Sequence, residues 1–224
     1  MVTNTLTILT VALAAFSISM TSVRARDLIV RELHDGRLKS SREHAALHSN
    51  AGSKLYSKGD FVGARREFTH AIRLNPRLAG VYYNRGNANF RLRSYQAALE
   101  DYSEAVQIMP DFVMAIANRG NAFSALGRLD EALASLNAAA ALEPNNPYVL
   151  FNRGFVFGRK RDYAAAQKDF TKVLELNPND VDALVLRAAA YRSLGMKDEA
   201  FKDLSKAQSL DPTNPRLRAG DWIK

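Results

Sequence analysis

YYNRGNANF, residues 82–90, sets an arginine between an asparagine and a glycine inside a stretch whose apolar spacing is that of a half-buried helix. The core of the stretch returns as Asn118-Arg119-Gly120 and again as Asn152-Arg153-Gly154, at intervals of 34 residues. A triplet that recurs at such an interval points to an array of small units, each unable to bury its own apolar face alone.

Alignment of the chain to itself at this period gives five units without an insertion: residues 45–78, 79–112, 113–146, 147–180 and 181–214. The thirty-second position is proline in each: Pro76, Pro110, Pro144, Pro178 and Pro212. The twentieth is alanine: Ala64, Ala98, Ala132, Ala166 and Ala200. The eighth reads Gly52, Gly86, Gly120, Gly154 and Ala188, and the twenty-fourth Phe68, Tyr102, Leu136, Phe170 and Leu204. Each unit holds two helical stretches separated by a short turn, so it is predicted to be a pair of antiparallel helices. Small residues at positions eight and twenty let the two backbones approach, and the bulky residue at twenty-four fills the space beside them. Proline ends the second helix, because it offers no N–H and clashes with the preceding turn.

This pattern resembles the tetratricopeptide repeat family over about three quarters of the chain. The resemblance implies an all-α fold, a right-handed α-solenoid (superhelix) of helix-turn-helix repeats, whose first helices line a concave groove that holds peptides or partner proteins. Two positions depart from the family pattern: the fourth is His48, Tyr82, Ile116, Leu150 and Leu184, and the seventh is arginine in four units. The resemblance assigns the groove to positions two, five, nine, twelve and thirteen. Those positions supply Tyr83, Asn87, Phe90, Arg91, Asn121, Tyr148, Phe151, Phe155, Arg159 and Arg192 as peptide-binding residues, with Tyr56, Ser124 and Asp182 beside them. Rings offer apolar contact, amides pair with peptide backbone, and arginines grip carboxylates. Members that clamp the acidic tails of chaperones carry cations where this chain has Tyr83, Tyr148 and Asn152, although Asn87 and Asn118 fit. Chaperone-tail binding is therefore not expected.

Position seven reads Arg85, Arg119, Arg153 and Arg187, with Ala51 in the first unit. A partly buried arginine seeks an acid, and position twenty-three supplies Glu67, Asp101, Asp169 and Asp203, with Ser135 the exception. Structural ion pairs are expected in one of two registers. Pairing within a unit joins Arg85 to Asp101, Arg153 to Asp169 and Arg187 to Asp203. Pairing to the preceding unit joins Arg85 to Glu67, Arg119 to Asp101 and Arg187 to Asp169.

The flanks carry other signals. Residues 1–23 hold no charged side chain, and LTILTVALAAFSISM, residues 6–20, has the length of a signal-peptide core. Residues 1–25 read as a signal peptide cut after Ala25, or as an uncleaved anchor, which makes the rest exported, periplasmic or membrane-anchored facing the periplasm. Residues 26–44 read as a basic leader or N-terminal cap, broken by Gly36, and residues 215–224 as a C-terminal cap in which Leu217 and Trp222 cover the last helix.

Residues 24–78 contain twelve Lys+Arg against six Asp+Glu, so much of the formal net charge of +8 lies near the amino end. That placement allows peripheral binding to an anionic membrane or polymer surface. It is unlike the continuous basic stripe of a nucleic-acid binder, whose contacts here would fall to Arg85, Arg91, Arg119, Arg153 and Arg159. Without cysteine there is no disulfide, thiolate metal site or cysteine nucleophile. His44 and His48 lie four apart with only Glu43 near, short of a metal set, and no phosphate loop or nucleophile elbow occurs. The sequence thus predicts a non-catalytic protein-protein interaction scaffold or adaptor of a bacterial-type cell envelope, with no cofactor, no metal, no small-molecule substrate and a protein or peptide partner.

Overall fold

Helix termination explains the architecture best. In the computed structural model, which describes residues 23–218, the residue before each repeat proline is extended or nearly so. Asn75 has φ −145° and ψ 98°, Met109 φ −132° and ψ 92°, and Asn177 φ −135° and ψ 88°. The following ring forces that conformation, and the N–H of each of these residues still closes the final turn onto Ala71, Ala105 or Val173.

The helices so delimited are α1 (Val23–Ser57), α2 (Phe61–Leu74), α3 (Ala79–Arg91), α4 (Tyr95–Ile108), α5 (Val113–Ala125), α6 (Leu129–Leu142), α7 (Pro147–Arg159), α8 (Tyr163–Leu176), α9 (Val181–Ser193), α10 (Lys197–Leu210) and the short α11 (Pro215–Arg218). Starts are set locally as well. Asp60, Asp162 and Asp180 each accept a hydrogen bond from the backbone N–H three residues on, and Asn146 caps α7 ahead of Pro147.

The chain divides into two compact units, residues 1–44 and residues 45–224. Of the first, the described part is helical from Val23 onward, with Arg31, His34, Asp35 and Lys39 exposed. The expected break at Gly36 does not occur. One helical glycine costs only about 1 kcal/mol, which good helix formers on either side offset. The segment predicted as signal or anchor lies almost wholly outside the described residues, as does Trp222. Among the described residues no helix is long and apolar enough to cross a membrane.

The second unit is a solenoid of helix pairs, α3 on α4, α5 on α6, α7 on α8 and α9 on α10, each packed on the next. Its core lies in layers between helices. Position twenty is fully buried in every pair, with Ala64, Ala98 and Ala132 at 0% exposure. Position eight faces the large residue of position twenty-four so closely that a methyl group on Gly86 would sit 2.7 Å from the Tyr102 ring. Glycine there is required by packing. Leu217 of α11 closes the last layer, against the cluster of Val173, Leu184 and Ala207.

Candidate functional site

Three of the four position-seven arginines form an ion pair with the position-twenty-three aspartate of their own pair. Arg85 donates from Nε to both Asp101 carboxylate oxygens, at 3.0 and 3.1 Å, and from Nη2 to Oδ1 at 2.6 Å. Arg153 reaches Asp169 through Nε at 2.8 Å and Nη2 at 2.7 Å, and Arg187 meets Asp203 through the same two nitrogens at 2.7 Å each. The within-unit register is thus the one present, and each bond set is the two-pronged geometry that suits a guanidinium and a carboxylate. The remaining nitrogen reaches back one pair. Nη1 of Arg85, Arg153 and Arg187 donates to Thr69, Asn137 and Thr171, respectively, at 3.2–3.3 Å.

Two members of the set differ. Glu67, the candidate partner of Arg85, is instead bonded to Nδ1 of His48 at 2.7 Å, because its own pair has Ala51 at position seven. That hydrogen bond holds the Glu67 carboxyl below its ordinary value. Arg119 meets only the Ser135 hydroxyl, at 3.3 Å, and among the described residues has no acidic partner; burial lowers its pKa from the ordinary value. Asp101 is 3% exposed, and burial pushes its carboxyl up against the opposing pull of Arg85 and Asn89.

The groove residues divide into those already used and those left free for contact. Tyr83 packs against Phe112 with ring centroids 4.9 Å apart, Phe90 stands edge-on to Tyr95 at 5.2 Å, and Phe151 edge-on to Phe170 at 5.7 Å. These three rings bind neighbouring helices together. The guanidinium of Arg91 lies 4.5 Å from the Phe61 ring centre. Arg159 donates from Nη1 to the Ser124 carbonyl and, at 2.9 Å, to its hydroxyl, tying α7 to the end of α5. Arg192 is exposed on α9. Tyr148 and Phe155, both on α7, remain 40% and 41% exposed.

Below Tyr148 runs a polar ladder. The Tyr102 hydroxyl and Asn118 Nδ2 both donate to Asn87 Oδ1, at 2.8 and 2.9 Å. The Tyr148 hydroxyl donates to Asn118 Oδ1 at 2.6 Å and accepts from Asn121 Nδ2 at 2.9 Å. Burial raises the pKa of both phenols, so each stays a neutral donor. The ladder joins the first helices of three successive pairs, α3, α5 and α7. It also ties Asn87 to Asn118, the two asparagines shared with the chaperone clamp.

Sequence reasoning missed a hollow of about 560 Å³ between α7, α8 and α9. Its cause is one missing ring. At position twelve the first two pairs carry Tyr56 and Phe90, which meet the position-seventeen rings Phe61 and Tyr95 with centroids 5.1 and 5.2 Å apart. The fourth pair has Gly158 there, and no ring among the described residues stacks on its Tyr163. The signal was present as an absence: a glycine aligned with two aromatic residues.

The family model described as TPR repeat matches residues 52–92 and 120–160, and two described as Tetratricopeptide repeat match residues 79–112 and 153–215. No curated protein sequence matches significantly. Among solved structures, the MamA protein superposes with a TM-score of 0.67 at 21% identity, over 81% of this chain and 97% of that one. YrrB, a repeat protein described as having an unusual peptide-binding site, gives 0.66 at 21% identity, over 83% and 96%. A tetratricopeptide repeat protein from Parabacteroides merdae gives 0.67 at 25% identity, over 77% and 68%.

Proposed function

The chain belongs to the tetratricopeptide repeat family, and from that premise we propose that it is a non-catalytic scaffold of a bacterial-type cell envelope, holding an extended peptide or partner protein against the face built by α3, α5 and α7. The observation that carries this reading is the exposure of Tyr148 and Phe155 beside the Asn87–Asn118–Tyr148–Asn121 ladder. Large exposed rings set on rigid, already satisfied polar supports lose little side-chain freedom on binding, which is the usual character of interface anchors. YrrB's peptide-binding site is consistent with this use of the fold. Four of the five arginines needed for nucleic-acid binding, Arg85, Arg119, Arg153 and Arg159, already donate hydrogen bonds within the protein.

Export rests on residues 1–25 and on their signal-like composition. Amino-terminal sequencing of the protein from its host, with fractionation, tests it; an uncut chain in the cytoplasm would remove the envelope from the proposal. The groove is tested by placing a photocrosslinking phenylalanine analogue at Phe155 or, as a comparator, at Phe201, which is 72% exposed on α10. Crosslinks to a partner from position 155 and not from 201 support the reading, and the reverse moves the interface off the groove.

A second reading has one observation behind it. A hollow of about 360 Å³ near the amino end of the array is lined by Arg65, Arg66, Arg73 and Arg85 with His70, against two acids, Glu100 and the Arg85-paired Asp101. Its excess of cations suits peripheral contact with an anionic membrane or polymer, as does, separately, the basic composition of residues 26–44. Sedimentation with anionic vesicles that falls steeply between low and physiological salt is its expected sign.

A further inference from the structure

We propose that the hollow between α7, α8 and α9 receives one aromatic side chain of a partner peptide, and that Arg159 and Arg161 at its mouth select partners carrying an acidic residue next to that ring. The proposal rests on the groove reading above and names the ligand chemistry of one part of it.

The apolar floor is formed by Tyr163, Phe170, Leu186 and Ala190. Its volume, about 560 Å³, lies within the roughly 300–1,000 Å³ typical of ligand pockets. The occupant's chemistry is read from the first two pairs, whose position twelve carries Tyr56 or Phe90 against the position-seventeen ring, whereas the third carries Ser124, which Arg159 reaches. The fourth pair keeps the receiving ring, Tyr163, and lacks the ring it would receive. A partner's aromatic side chain supplies the same edge-on contact. Gly158 leaves the opening clear, since a methyl group built on it would meet nothing within 4 Å.

Charge gives the second half of the recognition. Arg159 commits Nη1 to Ser124, which fixes its position, and among the described residues no acceptor engages its Nε or Nη2. Arg161 lies in the turn with φ 64°, where the first, third and fifth pairs use Gly59, Gly127 and Gly195. A left-handed backbone strains any residue with a Cβ, and the second pair carries the same strained arginine, Arg93, in its turn; in the fourth pair that turn places a cation beside the hollow. Exposed Phe155 lines the same opening.

The test uses the full chain, uniformly 15N-labelled, titrated with acetyl-Gly-Asp-Phe-Asp-Gly-amide and followed by amide shifts. Saturable shifts at Gly158, Ala189 and Ala190 are expected, with at least tenfold weaker binding when Phe is replaced by Ala and about fivefold weaker when both Asp are replaced by Asn. Gly158→Phe should fill the hollow and weaken binding at least tenfold with the melting temperature held. Arg161→Gly should weaken the acidic peptide severalfold and leave the Asn analogue unchanged, a readout that does not depend on Gly158→Phe folding.

Equal binding by Gly158→Phe overturns the assignment, and equal affinity for the Asp and Asn peptides overturns its acidic part. Shifts confined to Tyr148 and Asn121 would retain the groove and reject the hollow, whereas no shift with either peptide and no crosslink from position 155 would reject both. Self-association at the titration concentration that Gly158→Phe abolishes would assign the hollow to a second copy of the chain and overturn the peptide assignment.

Discussion

The second and fourth helix pairs share almost every structural device yet end with opposite surfaces. Both pair a position-seven arginine with a buried aspartate, Arg85 with Asp101 and Arg153 with Asp169. Both place glycine against a ring, Gly86 on Tyr102 and Gly154 on Phe170, and both turn through a left-handed arginine, Arg93 or Arg161. They differ at position twelve, where Phe90 closes the second pair and Gly158 leaves the fourth open. A repeat scaffold can therefore gain a receptor by losing one side chain, while the contacts that hold the pair together stay in place.

That comparison can be broken at its weakest point by Phe90→Gly, which gives the second pair the fourth pair's surface. Losing the ring and adding a helical glycine should cost about 4 kcal/mol, read by urea unfolding. Gly158→Ala, the reciprocal probe, should be neutral or mildly stabilising. The shared framework is tested next. Asp101→Ala and Asp169→Ala each strand a mostly buried guanidinium and should cost about 3 kcal/mol, whereas Ser135→Ala beside Arg119 should cost well under half of that.

A smaller change comes from the turns. Arg161→Gly should raise stability by about 1 kcal/mol, since relief of the left-handed strain exceeds the added freedom of the unfolded chain, and Arg93→Gly should do the same. Scanning calorimetry of the two variants would separate strain common to both turns from strain specific to the hollow.

The smallest effect concerns the first pair, where His48 and Glu67 stand in for the arginine and aspartate. Glu67 is held below its ordinary value of 4.5, so its folded-state pKa is depressed. A depressed carboxyl stabilises the fold above the unfolded value, and the contribution is lost as pH falls through the folded one. The stability difference between the parent and His48→Ala should accordingly shrink when pH is lowered from 6 to 3. A difference that grew over this range would place the stabilisation elsewhere.

Much of the fold was legible because its determinants are local and repeated. Proline at position thirty-two stops a helix wherever it occurs, and alanine at position twenty is buried in each pair. The register of the ion pairs was not legible, since Asp101 lies as plausibly beside Arg119 as beside Arg85 in sequence, and only the packing offset of the helices decides. The groove was legible as a set of positions and not as a set of free surfaces. Tyr83 and Phe151 occupy groove positions by number but are held by Phe112 and Phe170, contacts that depend on which neighbours are large. The hollow is not legible in the sequence because its cause, Gly158, carries no side chain to mark it.

The arginine that reaches in two directions also bears on how the array melts. In a one-dimensional stack, stability is the sum of each unit's own term and a coupling term to its neighbour, and long-range cooperativity depends on the second. Arg85, Arg153 and Arg187 contribute to both terms at once, through an aspartate in their own pair and a hydroxyl or amide in the one before. Arg119 contributes little to either. The coupling between the second and third pairs is consequently carried by the apolar packing of α4 on α5 and by the asparagine ladder, and not by the guanidinium stitches used at the other junctions.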